Sequence, residues 1–399
     1  MKKSYDISTH LNLISNRSPF NKMVVVGDVS SALLAVAKEV APLEIEVVIS
    51  QKDFSVLGST IMGVLKSGGA KTSLLIIEEG GFDYATLEKS ISCNIGAVIA
   101  VGGEGLLSAV RYCLSTCTAK YYAIPSTPCI ENILSTNISV KKGGFVKPFE
   151  KVIVDEAIIS KADLSYFAKS YISTMSKLTA LIDYKIGCFL SGTPVDEEVF
   201  SLTKQAVNTV AKLTSYENFK SAILGAQIIL ASLGGNVFDG SGVEVIKNCL
   251  SLFDTSLSDS QKTLIAFEKT AKIYHMYFSN DFSNLLSVPD YESDILELEK
   301  TTGKSRAYFY KNLKIPSERR RKLIALLMQK TRDDFKRETT VVLSVLPSII
   351  KIYNKLNNTE RESLSYKKIK NAVCLGAYLT DKTSTLTLCR DEGILKCAN

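Results

Sequence analysis

Six short β-rich segments alternate with helical stretches in the first part of the chain. Helix-periodic sequence then runs from about residue 163 almost to the end. The segments are KMVVVGD, EIEVVIS, KTSLLIIE, GAVIAVGG, AKYYAIPS and EKVIVDE, and the gaps between them are long enough for crossover helices. Such alternation demands parallel strands, because only a crossover returns the chain to start the next strand in the same direction. After Asp163, segments such as FKSAILGAQIILASL, SQKTLIAFEKTAKIYHMYF, ERRRKLIALLMQK and ETTVVLSVLPSIIKIYNKL repeat apolar residues every three or four positions. The expected architecture is a Rossmann-like α/β domain with a parallel sheet over residues 1–160, followed by an all-α domain over 161–399.

Composition fits two ordinary cores. With 399 residues, 46% hydrophobic and 22% charged, the chain is neither disordered nor fibrous. Its apolar runs, GAVIAV and KLIALLM, fall short of the roughly 20 residues of a membrane span, and MKKSYDISTHLNL lacks a signal-peptide core. The expected location is the cytoplasm. Nine cysteines without a CxxC pair read as reduced core thiols. The net charge of +7 is densest at SERRRKL, where Ser317 reads as a helix N-cap and the basic residues as a solvated face. No interleaved aromatics support a nucleic-acid interface.

In α/β sheets, ligands bind beyond the carboxyl ends of the strands. Two turns at such ends carry chemistry. After AVIAV comes Gly102-Gly103-Glu104-Gly105, where glycines admit a ligand to the backbone and the next helix offers free N–H groups to an anion. After YYAI comes PSTPCIEN, with the hydroxyls of Ser126 and Thr127 and then Glu131.

The order of these turns, followed by VIVDEAII and a helical half, resembles the dehydroquinate-synthase-like superfamily, which includes iron-containing alcohol dehydrogenases and glycerol dehydrogenases. Within it the chain looks like the glycerol-1-phosphate dehydrogenase family. GGEGLLSAVR stands where that family has a Gly-Gly-Gly-Ser turn, then an aspartate and a lysine. KLTALIDYKIG, Lys177 to Gly187, is similar to its Lys-x-x-Ala-x-x-Asp-Trp-Lys helix, and DKTSTLTLCRDEGIL to its carboxyl-terminal segment. The VDSSVGGK-type loop of the sugar-phosphate cyclase branch is absent.

The resemblance implies NAD or NADP, a divalent metal and a small phosphorylated substrate. Gly102 and Gly103 match the pyrophosphate turn, and Ser126 with Thr127 the nicotinamide pocket. Glu104 replaces the third glycine, Ser108 the aspartate and Arg111 the lysine, so Glu104 must turn away from a diphosphate or meet a cation such as Arg111. The second strand ends in Ser50-Gln51 instead of an acid, which weakens an NAD-only reading and leaves NADP open. The family's metal ligands, an aspartate and two histidines, correspond to Ser173, to Val245 or Cys249 in GSGVEVIKNC, and to LSDSQKT, which has no histidine. Only His10 and His275 occur in the chain. Asp239, Glu244, Cys249 and His275 are the candidates for a rebuilt site. Glu131 stands where the family has an aspartate that contacts the substrate, and in an active enzyme this residual acid, or a lysine, would act as the catalytic group in place of the metal.

Two readings compete. One is an active NAD(P)-dependent oxidoreductase of a small polyol phosphate such as glycerol 1-phosphate or dihydroxyacetone phosphate. The other, which the lost ligands favour, is a pseudoenzyme without metal-dependent catalysis, whose interdomain cleft keeps a place for NAD(P) or another phosphorylated ligand. The resemblance also implies self-association into a homo-oligomer.

Overall fold

The computed structural model describes residues 3–8, 11, 14, 24–41, 43–78, 84–91, 95–115, 117–135, 137–138, 144–234, 237–280, 289–358, 364–380 and 382–395. His10 therefore lies outside the described residues. The six expected strands are present as β1 (Val24–Val26), β2 (Glu44–Ser50), β3 (Lys71–Ile77), β4 (Ala97–Gly102), β5 (Lys120–Pro125) and, after a small hairpin of β6 (Asn137–Ile138) and β7 (Gly144–Phe145), β8 (Lys151–Val154). They form one parallel sheet in the order β1-β8-β5-β4-β2-β3. The intervening helices are α1 (Val29–Val40), α2 (Gln51–Ser67), α3 (Tyr84–Ser90) and α4 (Glu104–Cys113).

Local chemistry explains where these helices start. Asp28 caps α1 by accepting from Ser31 N at 2.8 Å, and Ser50 caps α2 by accepting from Asp53 N at 3.1 Å. At the end of β8, Asp155 accepts from Val29 N at 3.0 Å and from Ala157 N at 2.8 Å, which ties the end of this strand to the first turns of two helices. Those two turns are α1 and the short α5 (Glu156–Ile159). Every residue of β4 is buried, as a central parallel strand covered on both faces must be. Leu33, Val36 and Ala37 of α1 and Leu57, Ile61 and Leu65 of α2 pack with Ile45, Val47, Ile99 and Val101 of the sheet.

Two compact units divide the chain: Met1–Ser170 with Asn208–Val237, and Tyr171–Val207 with Phe238–Asn399. Strands end close to the expected boundary at 160. The units divide elsewhere because α6 (Leu164–Ser191) runs on without a break, while α8 (Phe219–Ala231), which follows α7 (Glu197–Ala211), belongs to the first unit.

The second unit is helical throughout its described residues. Its later helices are α9 (Gly242–Phe253), α10 (Asp259–Ser279), α11 (Tyr291–Thr302), α12 (Arg306–Asn312), α13 (Glu318–Asn357), α14 (Tyr366–Leu379) and α15 (Thr385–Asp391). Helix α9 packs on α10 and α14, and α13 on α10. The two amphipathic segments expected at 318–330 and 338–356 are one 40-residue helix, α13. The polar stretch that joins them stays helical because Phe335 is buried and stacks on Phe278 at 5.0 Å, while Arg337 pairs with Asp334 at 2.9 Å. Ser317 caps α13 as expected, but Arg321 turns inward and is 6% exposed, so the basic face is less solvated than the sequence suggested.

A buried carboxylate holds four parts of this unit together. Asp183 of α6 accepts from Gly242 N at 2.9 Å, the Tyr274 hydroxyl at 2.5 Å, Thr385 N at 2.8 Å and Thr385 Oγ1 at 3.0 Å. Burial pushes its pKa up, and these hydrogen bonds oppose that push. Glu392 is less well compensated: burial raises it from 4.5 to about 7 although the Tyr277 hydroxyl donates to it at 2.9 Å. A carboxyl whose folded pKa exceeds its unfolded one binds more protons when folded, so its contribution to stability falls as pH rises from about 4.5 to about 7. Melting temperatures at pH 5 and pH 8 should therefore converge in Glu392→Gln relative to the parent protein.

Six described cysteines, 113, 129, 188, 249, 374 and 389, are buried and free. Cys117 departs from the expectation of reduced thiols: it is disulfide-bonded. Among the described residues no helix is long and apolar enough to cross a membrane.

Candidate functional site

Three adjacent strands deliver their turns to one place. Register pairs Ile49 with Val101 and Gly102 with Pro125, so Ser50, Gly102 and Ser126 emerge side by side at the carboxyl ends of β2, β4 and β5. The chain winds from β2 outward to β3 and then crosses back to β4, so the winding reverses between β2 and β4. Ligand crevices in open α/β sheets form where the winding reverses. A cavity of about 420 Å³ opens there, within the range of small-molecule sites, and all of its lining residues belong to the first unit.

The wall on one side is the Gly102–Gly103 turn and the start of α4. Gly103 occupies the N-cap with φ −77° and ψ 172°, and no side chain caps the helix. The first N–H groups of α4 therefore have no side-chain acceptor at the cap. Thr127 faces this turn: a Cβ built on Gly103 would lie 3.6 Å from its Cγ2 and 3.8 Å from its Oγ1. Thr127 is only 6% exposed, lines the cavity, and its hydroxyl has no hydrogen-bond partner among the described residues.

Two carboxylates stand beside the turn. Glu104 pairs with Lys169 of α6 at 3.1 Å, each side chain about one third exposed. Asp53, in the first turn of α2, accepts from the hydroxyls of Ser50 at 2.6 Å and Ser126 at 3.0 Å. Lys52 and Lys161 also line the cavity, and Lys52 pairs with Asp163 at 2.8 Å.

The expected partner of Glu104 is thus corrected. Arg111 lies two turns further along α4 and is buried, donating to the backbone carbonyls of Ile133, at 3.0 Å, and Ser135. Its guanidinium lies 5.2 Å from the Phe149 ring centroid, and burial pulls it down to about 10. Ser108 is on the same helix face and borders a small recess with Glu104, Arg111 and Cys129. Burial pushes the Cys129 thiol up to about 11. Glu131 lines neither the cavity nor the recess, and its backbone N donates to Gln227 Oε1 at 3.3 Å. Of the residues expected to hold a cofactor, Gly103, Glu104, Ser126 and Thr127 line one cavity, with Gly102 at the strand end beside them.

The metal-ligand positions lie in the second unit. Ser173 is part of α6 and its carbonyl accepts from Ser176 Oγ at 2.7 Å. Val245 packs toward α14, where a Cβ on Gly376 would come within 2.9 Å of its Cγ1. Burial pushes the Cys249 thiol up to about 12, which opposes the thiolate a metal needs. The other candidates are engaged elsewhere. Glu244 pairs with Lys247 at 2.9 Å and His275 Nδ1 lies 3.3 Å from Thr339 Oγ1; at Asp239 it is the backbone carbonyl that accepts from Lys382, at 2.7 Å. Among the described residues no group of three His, Cys, Asp or Glu side chains is arranged so that it could hold a metal ion. These donors do not fit a divalent ion of the kind the resemblance implies.

Sequence reasoning missed Asp53 and Lys169. The S-x-x-D pattern at Ser50–Asp53 marks a helix start and could have pointed to Asp53. Nothing local links Lys169 to Glu104, 65 residues earlier; only the folded unit joins them.

No family model matches the chain. It is 25% identical over 209 residues to a glycerol-1-phosphate dehydrogenase (NAD(P)+) of Thermoplasma acidophilum, covering 48% of this chain and 58% of the relative. It is 27% identical over 213 residues to the same-named enzyme of Thermococcus kodakarensis, covering 50% and 61%. The chain thus spans about three fifths of the length of these relatives. Among solved structures, an iron-containing alcohol dehydrogenase of Thermotoga maritima superposes with TM-score 0.55 at 10% identity, covering 98% of each chain. A probable glycerol dehydrogenase of Sinorhizobium meliloti gives 0.54 at 12% identity, covering 94% of this chain and 95% of its own. The expected fold is that of these proteins.

Proposed function

We propose that this chain, similar in sequence to glycerol-1-phosphate dehydrogenases and in fold to iron-containing alcohol dehydrogenases, is a ligand-binding relative that does not use the family's metal chemistry. Its ligand is a phosphorylated molecule, with NAD(P) the first candidate, held in the cavity at the ends of β2, β4 and β5. The observation that carries this reading is the uncapped N-terminus of α4 facing the unpartnered Thr127 hydroxyl, in a cavity that also presents Lys52, Lys161 and Lys169. Backbone N–H groups, a hydroxyl and ammonium groups are the donors an anionic phosphate requires.

The metal half of the reading is supported by donor chemistry. A hydrocarbon at Val245, a hydroxyl at Ser173 and a buried thiol at Cys249 do not replace an aspartate and two histidines. Without a cation at the developing alkoxide, a dehydrogenase loses several kcal/mol of charge stabilisation.

Titration with NADH and NADPH, read by cofactor fluorescence and thermal shift, tests the binding half. A saturable signal is expected, and no response at millimolar cofactor would contradict it. The active-oxidoreductase reading is favoured by the relatives' names. Glycerol 1-phosphate oxidation assayed with NAD+ or NADP+ and added zinc decides it: turnover that chelation abolishes would replace our reading, and no turnover is expected.

A further inference from the structure

We infer that Glu104 is a built-in occupant of a phosphate-class anion site, and that the ligand binds by displacing its carboxylate from Lys169. This inference rests on the proposed phosphorylated-ligand reading of the cavity and specifies what controls it.

Four observations converge on one spot. The N-terminus of the ten-residue α4 opens without a side-chain cap. Thr127, nine-tenths buried, lines the cavity beside Gly103, where a built Cβ would lie 3.6 Å from its Cγ2 and 3.8 Å from its Oγ1, and no hydrogen bond among the described residues uses that hydroxyl. Lys169 reaches the same turn from α6. The carboxylate that meets Lys169, at 3.1 Å, comes from Glu104, the first residue of the helix itself. Helix terminus, hydroxyl and ammonium together make an anion site, and the chain supplies the anion from within.

The neighbouring groups narrow the roles. Ser126 is committed, since its hydroxyl donates to Asp53 at 3.0 Å, so Thr127 is the hydroxyl that remains for a ligand. Arg111 cannot serve as the cation, because its guanidinium is buried against Phe149 and the carbonyls of Ile133 and Ser135. Lys169 is the ammonium that Glu104 holds. With Glu104 in place, an incoming phosphate faces a carboxylate and a neutralised lysine. Once Glu104 rotates out, about one third exposed as it is, its repulsion of the same phosphate is gone and it no longer covers the Lys169 ammonium on the cavity wall.

Such a carboxylate raises the ligand concentration needed for occupancy without changing the cavity's shape. It also predicts a signature that a plain helix-stabilising acid would not give. Calorimetric titration with inorganic phosphate and, separately, with NADH should be run on the parent protein, Glu104→Gln, Lys169→Gln and the double variant. Melting temperatures serve as the folding control. We expect Glu104→Gln to bind at least tenfold more tightly than the parent, and the double variant to lose that gain. A gain with both probes assigns the site to a phosphate group in general; a gain with NADH alone assigns it to the dinucleotide. Parent and Glu104→Gln proteins that bind NADH equally would overturn the inference and leave the ligand reading standing. Folded proteins that bind neither probe would overturn both.

Discussion

Asp183→Ala is expected to destabilise the helical unit by about 3–5 kcal/mol, the range for leaving a buried polar network without its central partner. The magnitude follows from what the substitution strands. Gly242 N, the Tyr274 hydroxyl, Thr385 N and Thr385 Oγ1 all donate to this carboxylate, and they come from three helices besides its own. Each loses its acceptor in an interior where water cannot replace it. Tyr274→Phe removes one donor and should cost only about 1 kcal/mol. Gly242→Ala should cost more than Tyr274→Phe, because a Cβ there would run into the Tyr274 hydroxyl, push it off the carboxylate and overpack a buried contact. Unfolding followed by far-ultraviolet circular dichroism measures all three. An Asp183→Ala protein as stable as its parent would mean that the network contributes orientation alone.

The second large effect concerns binding. Gly103→Val should weaken NADH binding about a hundredfold, or ~2.7 kcal/mol, with little change in melting temperature. The backbone at Gly103, φ −77° and ψ 172°, is open to any residue, and a Cβ there meets nothing closer than Thr127 Cγ2 at 3.6 Å. The fold therefore accepts the side chain. A ligand phosphate approaching the first N–H groups of α4 does not, since the valine methyls fill the approach. Unchanged NADH affinity in a folded Gly103→Val protein would move the ligand away from this turn.

The sequence disclosed the sheet because its strands are buried on both faces and so read as continuous apolar runs, VVIS in β2 and AVIAV in β4. It disclosed the turns because glycine, proline and hydroxyl residues punctuate strand ends. The site's electrostatics were less legible. Glu104 stands out as a departure, but the sequence offers only a turned-away side chain or a cation such as Arg111 of its own helix, whereas the cation it meets comes from α6. Helix spacing could not show that the Arg111 guanidinium is drawn to carbonyls at 133 and 135, because those belong to a turn placed by tertiary packing. Asp183 was legible as part of a motif but not as a hub, since its donors lie 59 to 202 residues further along the chain. The continuity of α13 was missed for a related reason. Its polar middle breaks the apolar rhythm, and Phe335 alone carries the buried stripe across.

In the proposed function the α/β unit binds a phosphorylated ligand at the Gly103 turn and needs no metal to hold it. Calorimetric titration of the purified chain with NADH, before and after exhaustive chelation and dialysis, tests this directly. A saturable isotherm with the same dissociation constant is expected in both preparations. No heat at millimolar NADH, or an isotherm that chelation abolishes and zinc restores, would contradict it.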